Sequence, residues 1–76
     1  MNELVTYIAT ALVDDPDAVK VERVPGDEID VYELTVAPDD LGKVIGRGGR
    51  TARALRSVIR AGAAKVGGRA HLEILE

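Results

Sequence analysis

Leu41-Gly42-Lys43-Val44-Ile45-Gly46-Arg47-Gly48-Gly49-Arg50-Thr51 is the stretch from which the rest of the chain can be read. It has the pattern of a short helix, a glycine-rich turn and the start of a second helix. Gly46 stands where the first helix should stop, and glycine enters left-handed backbone without steric cost. Gly48 and Gly49 clear side chains from the turn, so that another backbone can come close. Arg50 and Thr51 then open an alanine- and leucine-rich helical run. The first amides of such a run lack intrahelical acceptors and favour an anion. Arg47 and Arg50 add positive charge. The stretch therefore reads as a slot for a phosphate backbone, with room for close approach and no bulky reader of bases.

Downstream, the spacing predicts a helix from about Arg50 to Val66. Ala52, Leu55, Val58, Ile59, Gly62 and Val66 fall on one face of it. Arg53, Arg56 and Arg60 fall together on a neighbouring face. Gly62 inside this helix costs about 1 kcal/mol relative to alanine, a cost that close packing would explain. Gly67-Gly68 ends the helix, and Ala70 to Leu75 is a strand with Ala70, Leu72 and Ile74 on one side. Upstream, Asn2 can cap a first helix whose Leu4, Val5, Ile8 and Leu12 should face the core. Asp14-Asp15-Pro16-Asp17 ends it, because proline disfavours helix in the residue before it. Val19–Val24 and Glu28–Val36 read as a hairpin around Pro25-Gly26-Asp27. Their alternation switches parity midway, which predicts either a bulge or an apolar patch on the outer face of the sheet. Before the second helix, Asp39 is the expected N-cap and Asp40 complements the helix dipole.

Seventy-six residues make one small domain. Such a chain buries only about 60% of its unfolded surface, so the core is modest. There are no cysteines, which is compatible with a reducing cytoplasm. The start of the chain lacks the pattern of a secretion signal, and no apolar run approaches the ~20 residues of a membrane span. The formal net charge of −3 conceals a segregation. Between Leu41 and Ala70 stand eight basic residues and no acid: Lys43, Arg47, Arg50, Arg53, Arg56, Arg60, Lys65 and Arg69. Only Lys20 and Arg23 lie elsewhere, alongside all thirteen acids. A basic face on an acidic body points to a polyanion partner, against the plainer reading of a solvated helix.

Other chemistries fit poorly. The nucleotide-triphosphate loop needs Gly-Lys-Ser/Thr closing a GxxxxG frame, and Gly42–Thr51 does not supply it. The dinucleotide fingerprint fails because Thr51 stands where its third glycine should be and a helix precedes the loop. A helix-turn-helix reader would want Asn or Gln in its second helix, which has neither. The aspartates of residues 14–17 form one short turn rather than a converging cation site. His71 is the only histidine, and no base–nucleophile arrangement can be built around it or around Asp39-Asp40. The chain therefore reads as a non-enzyme with no cofactor and no metal. It has two tyrosines and no Phe or Trp, so a stacking platform of aromatic rings is not available either.

Gly46-Arg47-Gly48-Gly49, preceded by Val44-Ile45 and followed by a helix, resembles the GXXG loop of a KH domain. The order α-β-β-α-α-β around it fits the type II arrangement. The whole chain, and Pro38–Gly46 especially, resembles the small bacterial single-KH proteins of the KhpA type. That resemblance implies an α+β fold with three helices packed on one face of a three-stranded mixed sheet. It implies a cleft between the loop, its flanking helices and the last strand, with about four nucleotides of single-stranded RNA clamped by backbone. Gly46, Gly48 and Gly49 would permit approach, and Lys43, Arg47, Arg50 and Arg53 would meet phosphates. Val44, Ile45 and Leu72 would make apolar contact with bases. Lys65 and Arg69 would border the loop before the last strand, which in type II KH domains can touch nucleic acid. The resemblance further implies a homodimer or a heterodimer with a Jag-type KH protein. The implied role is that of a cytoplasmic RNA chaperone or post-transcriptional regulator, linked to cell division and envelope growth. The competing expectations are a protein-interaction module with secondary RNA binding, and a binder of single-stranded DNA in the same groove.

Overall fold

The computed structural model describes residues 1–76. Its elements are α1 (Asn2–Leu12), β1 (Lys20–Val24), β2 (Asp30–Thr35), α2 (Leu41–Ile45), α3 (Arg50–Lys65) and β3 (Ala70–Ile74). Short 3-10 turns at Pro16–Ala18, Pro38–Asp40 and Arg47–Gly49 join them. The order is the expected α-β-β-α-α-β, and the strands form one mixed sheet in the order β1-β2-β3. β1 runs antiparallel to β2, and β3 runs parallel to β2. A parallel neighbour requires a long crossover, which α2 and α3 provide. No helix is long and apolar enough to cross a membrane.

The three helices cover one face of the sheet. Val5 and Ala9 of α1, Val44 of α2, and Ala52, Leu55 and Ile59 of α3 form one core. They pack with Tyr32 and Leu34 of β2, Val36 just beyond it, and Leu72 and Ile74 of β3. The strand residues are those of a single parity, as the pleat requires. Helix α3 buries Ala52, Leu55, Ile59 and Ala63, the 3-4-4 spacing of a stripe turned onto the sheet. Val58 and Val66, expected in that stripe, are exposed. Val58 lies to one side of it. Val66 follows the last helical turn, where Gly67 takes a φ of +77° and its N–H bonds back to the Ala64 carbonyl. Gly62 does allow close packing, with Met1 and Leu4 of α1: an added Cβ would lie 3.2 Å from the Met1 sulfur.

Several local expectations change. Met1, not Asn2, precedes the first turn of α1, and no side chain caps it. Leu4 and Leu12 remain about a third exposed, because α1 contacts the sheet along the narrower Val5–Ala9 line. The hairpin has no bulge. Its register runs unbroken from Lys20 opposite Thr35 to Val24 opposite Val31. The parity switch is instead a pair of valines, Val24 and Val31, turned to the uncovered face. That face also carries Glu22, Glu33 and Glu73, which stand directly opposite one another across all three strands. Asp39 is not an N-cap either. It sits inside the Pro38–Asp40 turn, and α2 begins after Asp40 without a side-chain cap.

Candidate nucleic-acid interface

The loop geometry follows from its glycines. The Gly46 N–H closes α2 on the Gly42 carbonyl at 2.8 Å. Gly46 then takes φ +76° and ψ 169°, a region open in practice only to glycine. A Cβ there would lie 2.3 Å from the Thr51 Oγ1 and 2.8 Å from the Thr51 nitrogen, so α3 begins against the bare Gly46 backbone. Gly48 and Gly49 also have positive φ, at +64° and +76°, but nothing lies within 4 Å of a Cβ built on either. Gly46 is therefore a packing requirement, while Gly48 and Gly49 leave open space above the loop. The Gly49 N–H turns back to the Gly46 carbonyl, and the Arg50 N–H to that of Arg47. Two amides expected to point outward thus have internal acceptors, although no side chain caps the start of α3.

Around this space stand Arg47, Arg50 and Arg53, all exposed and none paired with a carboxylate. Lys43 is placed differently. Its ammonium pairs with Asp14 and, at 3.5 Å, with Asp40. The hydrogen bond that Lys43 donates to Asp14 raises the Lys43 pKa against the opposing effect of desolvation, and Asp40 adds to the rise. Asp40 is only 3% exposed. Its Oδ2 accepts the Asp15 N–H at 3.0 Å, so it fastens the end of α1 to the start of α2. Burial alone would raise its pKa, but the amides of Asp15 and Asp14 and the Lys43 ammonium together hold it below the usual carboxylate value. Of the Asp39-Asp40 pair, Asp40 is thus a structural clasp as well as a charge at the start of α2.

The apolar residues of the expected cleft are also redistributed. Val44 and Leu72 have no exposure at all and belong to the core. Their alternation with the core explains why: Val44 is the one buried residue of α2, and Leu72 lies at the inward position of β3. Ile45 alone of the three remains partly accessible. Arg56, placed by the sequence on the basic face with Arg53 and Arg60, is held differently from them. Its Nε donates to the Leu72 carbonyl at 3.1 Å and links α3 to β3. Its place beside Leu55 and between Ala52 and Ile59, at the border of the buried stripe, is the signal that sets it apart from Arg53 and Arg60. Arg69 and Arg60 border a cavity of about 280 Å³ at the far end of α3, which also includes Ile29 and Ala64.

Comparison with known proteins gives a consistent picture. The family model described as "KhpA/KhpB, KH domain" matches residues 2–74. A protein named RNA-binding protein KhpA from Caldanaerobacter subterraneus subsp. tengcongensis is 51% identical over 75 residues, covering 99% of this chain and all of that one. Its namesake from Halalkalibacterium halodurans is 53% identical over 77 residues, with both chains fully covered. That from Treponema pallidum is 49% identical, covering 99% of this chain and 94% of its own.

Proposed function

The chain belongs to the KhpA/KhpB KH-domain family, and from that premise we propose that it binds single-stranded RNA by its sugar–phosphate backbone at Gly46–Gly49. The observation that carries this reading is the open space above Gly48 and Gly49, ringed by three arginines without carboxylate partners. A phosphate can approach the backbone there as closely as another main chain could. Arg47 and Arg50 flank it and Arg53 follows one turn later. Ile45 offers the accessible apolar contact for a base. Lys43 serves first as the partner of Asp14 and Asp40, and would reach a phosphate only by leaving them. With few polar groups facing the groove, affinity is dominated by phosphates and falls with salt.

The cellular role that fits is a cytoplasmic RNA chaperone or post-transcriptional regulator, not an enzyme. It would act as a homodimer or with a Jag-type KH partner and influence cell shape and wall growth. A specific observation favours pairing: Tyr7, Val58 and Val66 are 74%, 45% and 84% exposed on a chain with a small core. Doubling a weak site through effective concentration raises avidity without new contacts. A protein-interaction role with secondary RNA binding rests on the same three side chains.

The test is fluorescence anisotropy with short single-stranded RNA, comparing the native protein with Arg47→Asp plus Gly48→Asp. A Cβ at Gly48 meets no atom, and aspartate tolerates left-handed backbone better than most residues, so the variant should fold, as circular dichroism would verify. Binding by the native protein and its loss in the folded variant are expected. Equal binding by both would place the RNA elsewhere. A matching single-stranded DNA separates the two nucleic acids by the 2′-hydroxyl.

A further inference from the structure

Of the four arginines on α3, Arg56 alone has a fixed guanidinium. Arg50, Arg53 and Arg60 are exposed, with no hydrogen-bond partner or ion pair. Arg56 is partly buried, and its Nε donates to the Leu72 carbonyl. That carbonyl lies on the open edge of the sheet. The Leu75 N–H bonds to Leu34, and the Arg69 carbonyl accepts from Asp30, so the odd-numbered residues of β3 turn their backbone to β2. Leu72 turns its own the other way, towards the free edge of β3. A guanidinium has five N–H donors in one rigid plane. With Nε held, four remain on Nη1 and Nη2. No buried side-chain nitrogen lacks a partner, so these four are open to solvent. Arg56 stands six residues along α3 from Arg50, about 9 Å by helical rise, within the span of the few nucleotides that the loop would hold.

We propose that Arg56 is the base-reading residue of this groove. Its two Nη groups donate in parallel to a base that presents two adjacent acceptors. Guanine does so through O6 and N7, and cytosine through O2 and N3. Adenine and uracil alternate donor and acceptor along their edges and satisfy only one of the two. An arginine already held in place loses little freedom on binding, which suits it to recognition rather than to general attraction. This assignment rests on the RNA reading above and adds sequence preference to it.

The experiment measures anisotropy of the native protein with a short uridine-tract RNA and with the same tract carrying a central GG, CC or AA step. The GG or CC tract is expected to bind about tenfold more tightly than the AA or plain tract. Arg56→Lys keeps the charge but loses the planar fork, so it should bind all four alike while retaining dependence on the glycine loop. Equal affinity of the native protein for all four tracts overturns the proposal, and so does a preference that survives in folded Arg56→Lys. The native ranking is informative even if Arg56→Lys fails to fold. Either negative result leaves the loop assignment intact, provided that Arg47→Asp plus Gly48→Asp abolishes binding. If the native protein binds none of the tracts, both readings fall together.

Discussion

Gly46 and Gly48 look alike in the sequence and differ in what surrounds them. At Gly46 the backbone lies in the glycine-only region and the space for a Cβ is filled by Thr51. At Gly48 the backbone is left-handed but the space is empty. Gly46→Ala should therefore cost about 3 kcal/mol or more, from strain and overlap together. Gly48→Ala should cost about 1 kcal/mol, from backbone strain alone. Urea unfolding of the two variants checks this, and comparable losses would mean that Thr51 yields to the new methyl. The Asp40 clasp makes a second prediction. Asp40 and Asp30 both titrate below the ordinary carboxylate value of 3.8 in the folded chain. For Asp30 the largest cause is the hydrogen bond from Arg23. A carboxylate with a depressed folded pKa stabilises above its unfolded pKa, and that stabilisation disappears as pH falls through the folded value. The urea midpoint should thus hold from neutral pH down to about 4 and then fall. Asp40→Asn should be less stable at neutral pH and show a shallower acid decline. An unchanged acid limb would remove Asp40 from the account. From the sequence, the glycine stop at Gly46 and the exposed arginines were legible because they depend on local backbone rules. The clasp was not, because Asp15 and Asp40 meet only through the fold, twenty-five residues apart.

Elements show where periodicity suffices and where it fails. Helix α3 was legible in place, length and ending, and strand β3 in the parity of Leu72 and Ile74. The parity switch in the hairpin was visible too, but its cause was not. Pattern alone cannot separate a bulge from two valines facing outward, since only the register distinguishes them. The same register creates the row Glu22–Glu33–Glu73, and like charges placed directly opposite oppose sheet formation. Glu33→Gln, at the centre of the row, should raise Tm by about 2 °C at low salt and by less at high salt, where exposed charges are screened. A salt-independent shift would point to packing instead. Helix α2 offers a further case. Gly42 lies inside this five-residue helix, and a Cβ there would meet nothing within 4 Å. Gly42→Ala should therefore stabilise the protein by about 0.5–1 kcal/mol, read as a higher urea midpoint. No gain would mean that α2 has little helical integrity of its own. A gain in stability coupled to a loss of RNA affinity would mean that the strand passes over the bare face of α2.

At the scale of the whole molecule, the segregation of charge is the feature that the sequence displayed most openly and that the fold keeps. All eight basic residues of the segment 41–70 precede β3 in the crossover, while three glutamates meet on the uncovered sheet face on the other side of the strands. A chain of net charge −3 can then attract a polyanion to one side while its other side repels it. This asymmetry gives a quantitative expectation. Binding of single-stranded nucleic acid weakens with salt with a log–log slope of about −0.7 for each phosphate neutralised. If Arg47, Arg50 and Arg53 are the phosphate contacts and Lys43 stays with Asp14 and Asp40, the slope should be about −2. Arg50→Ala should make it shallower by about 0.7, and Lys43→Ala should leave it almost unchanged while lowering stability. A titration series with one RNA over several salt concentrations decides the matter. A slope much steeper than −2, and a fall in slope for Lys43→Ala, would mean that Lys43 abandons its two carboxylates when RNA arrives. The link between α1 and α2 would then loosen on binding, and the site would include the first helix as well as the loop.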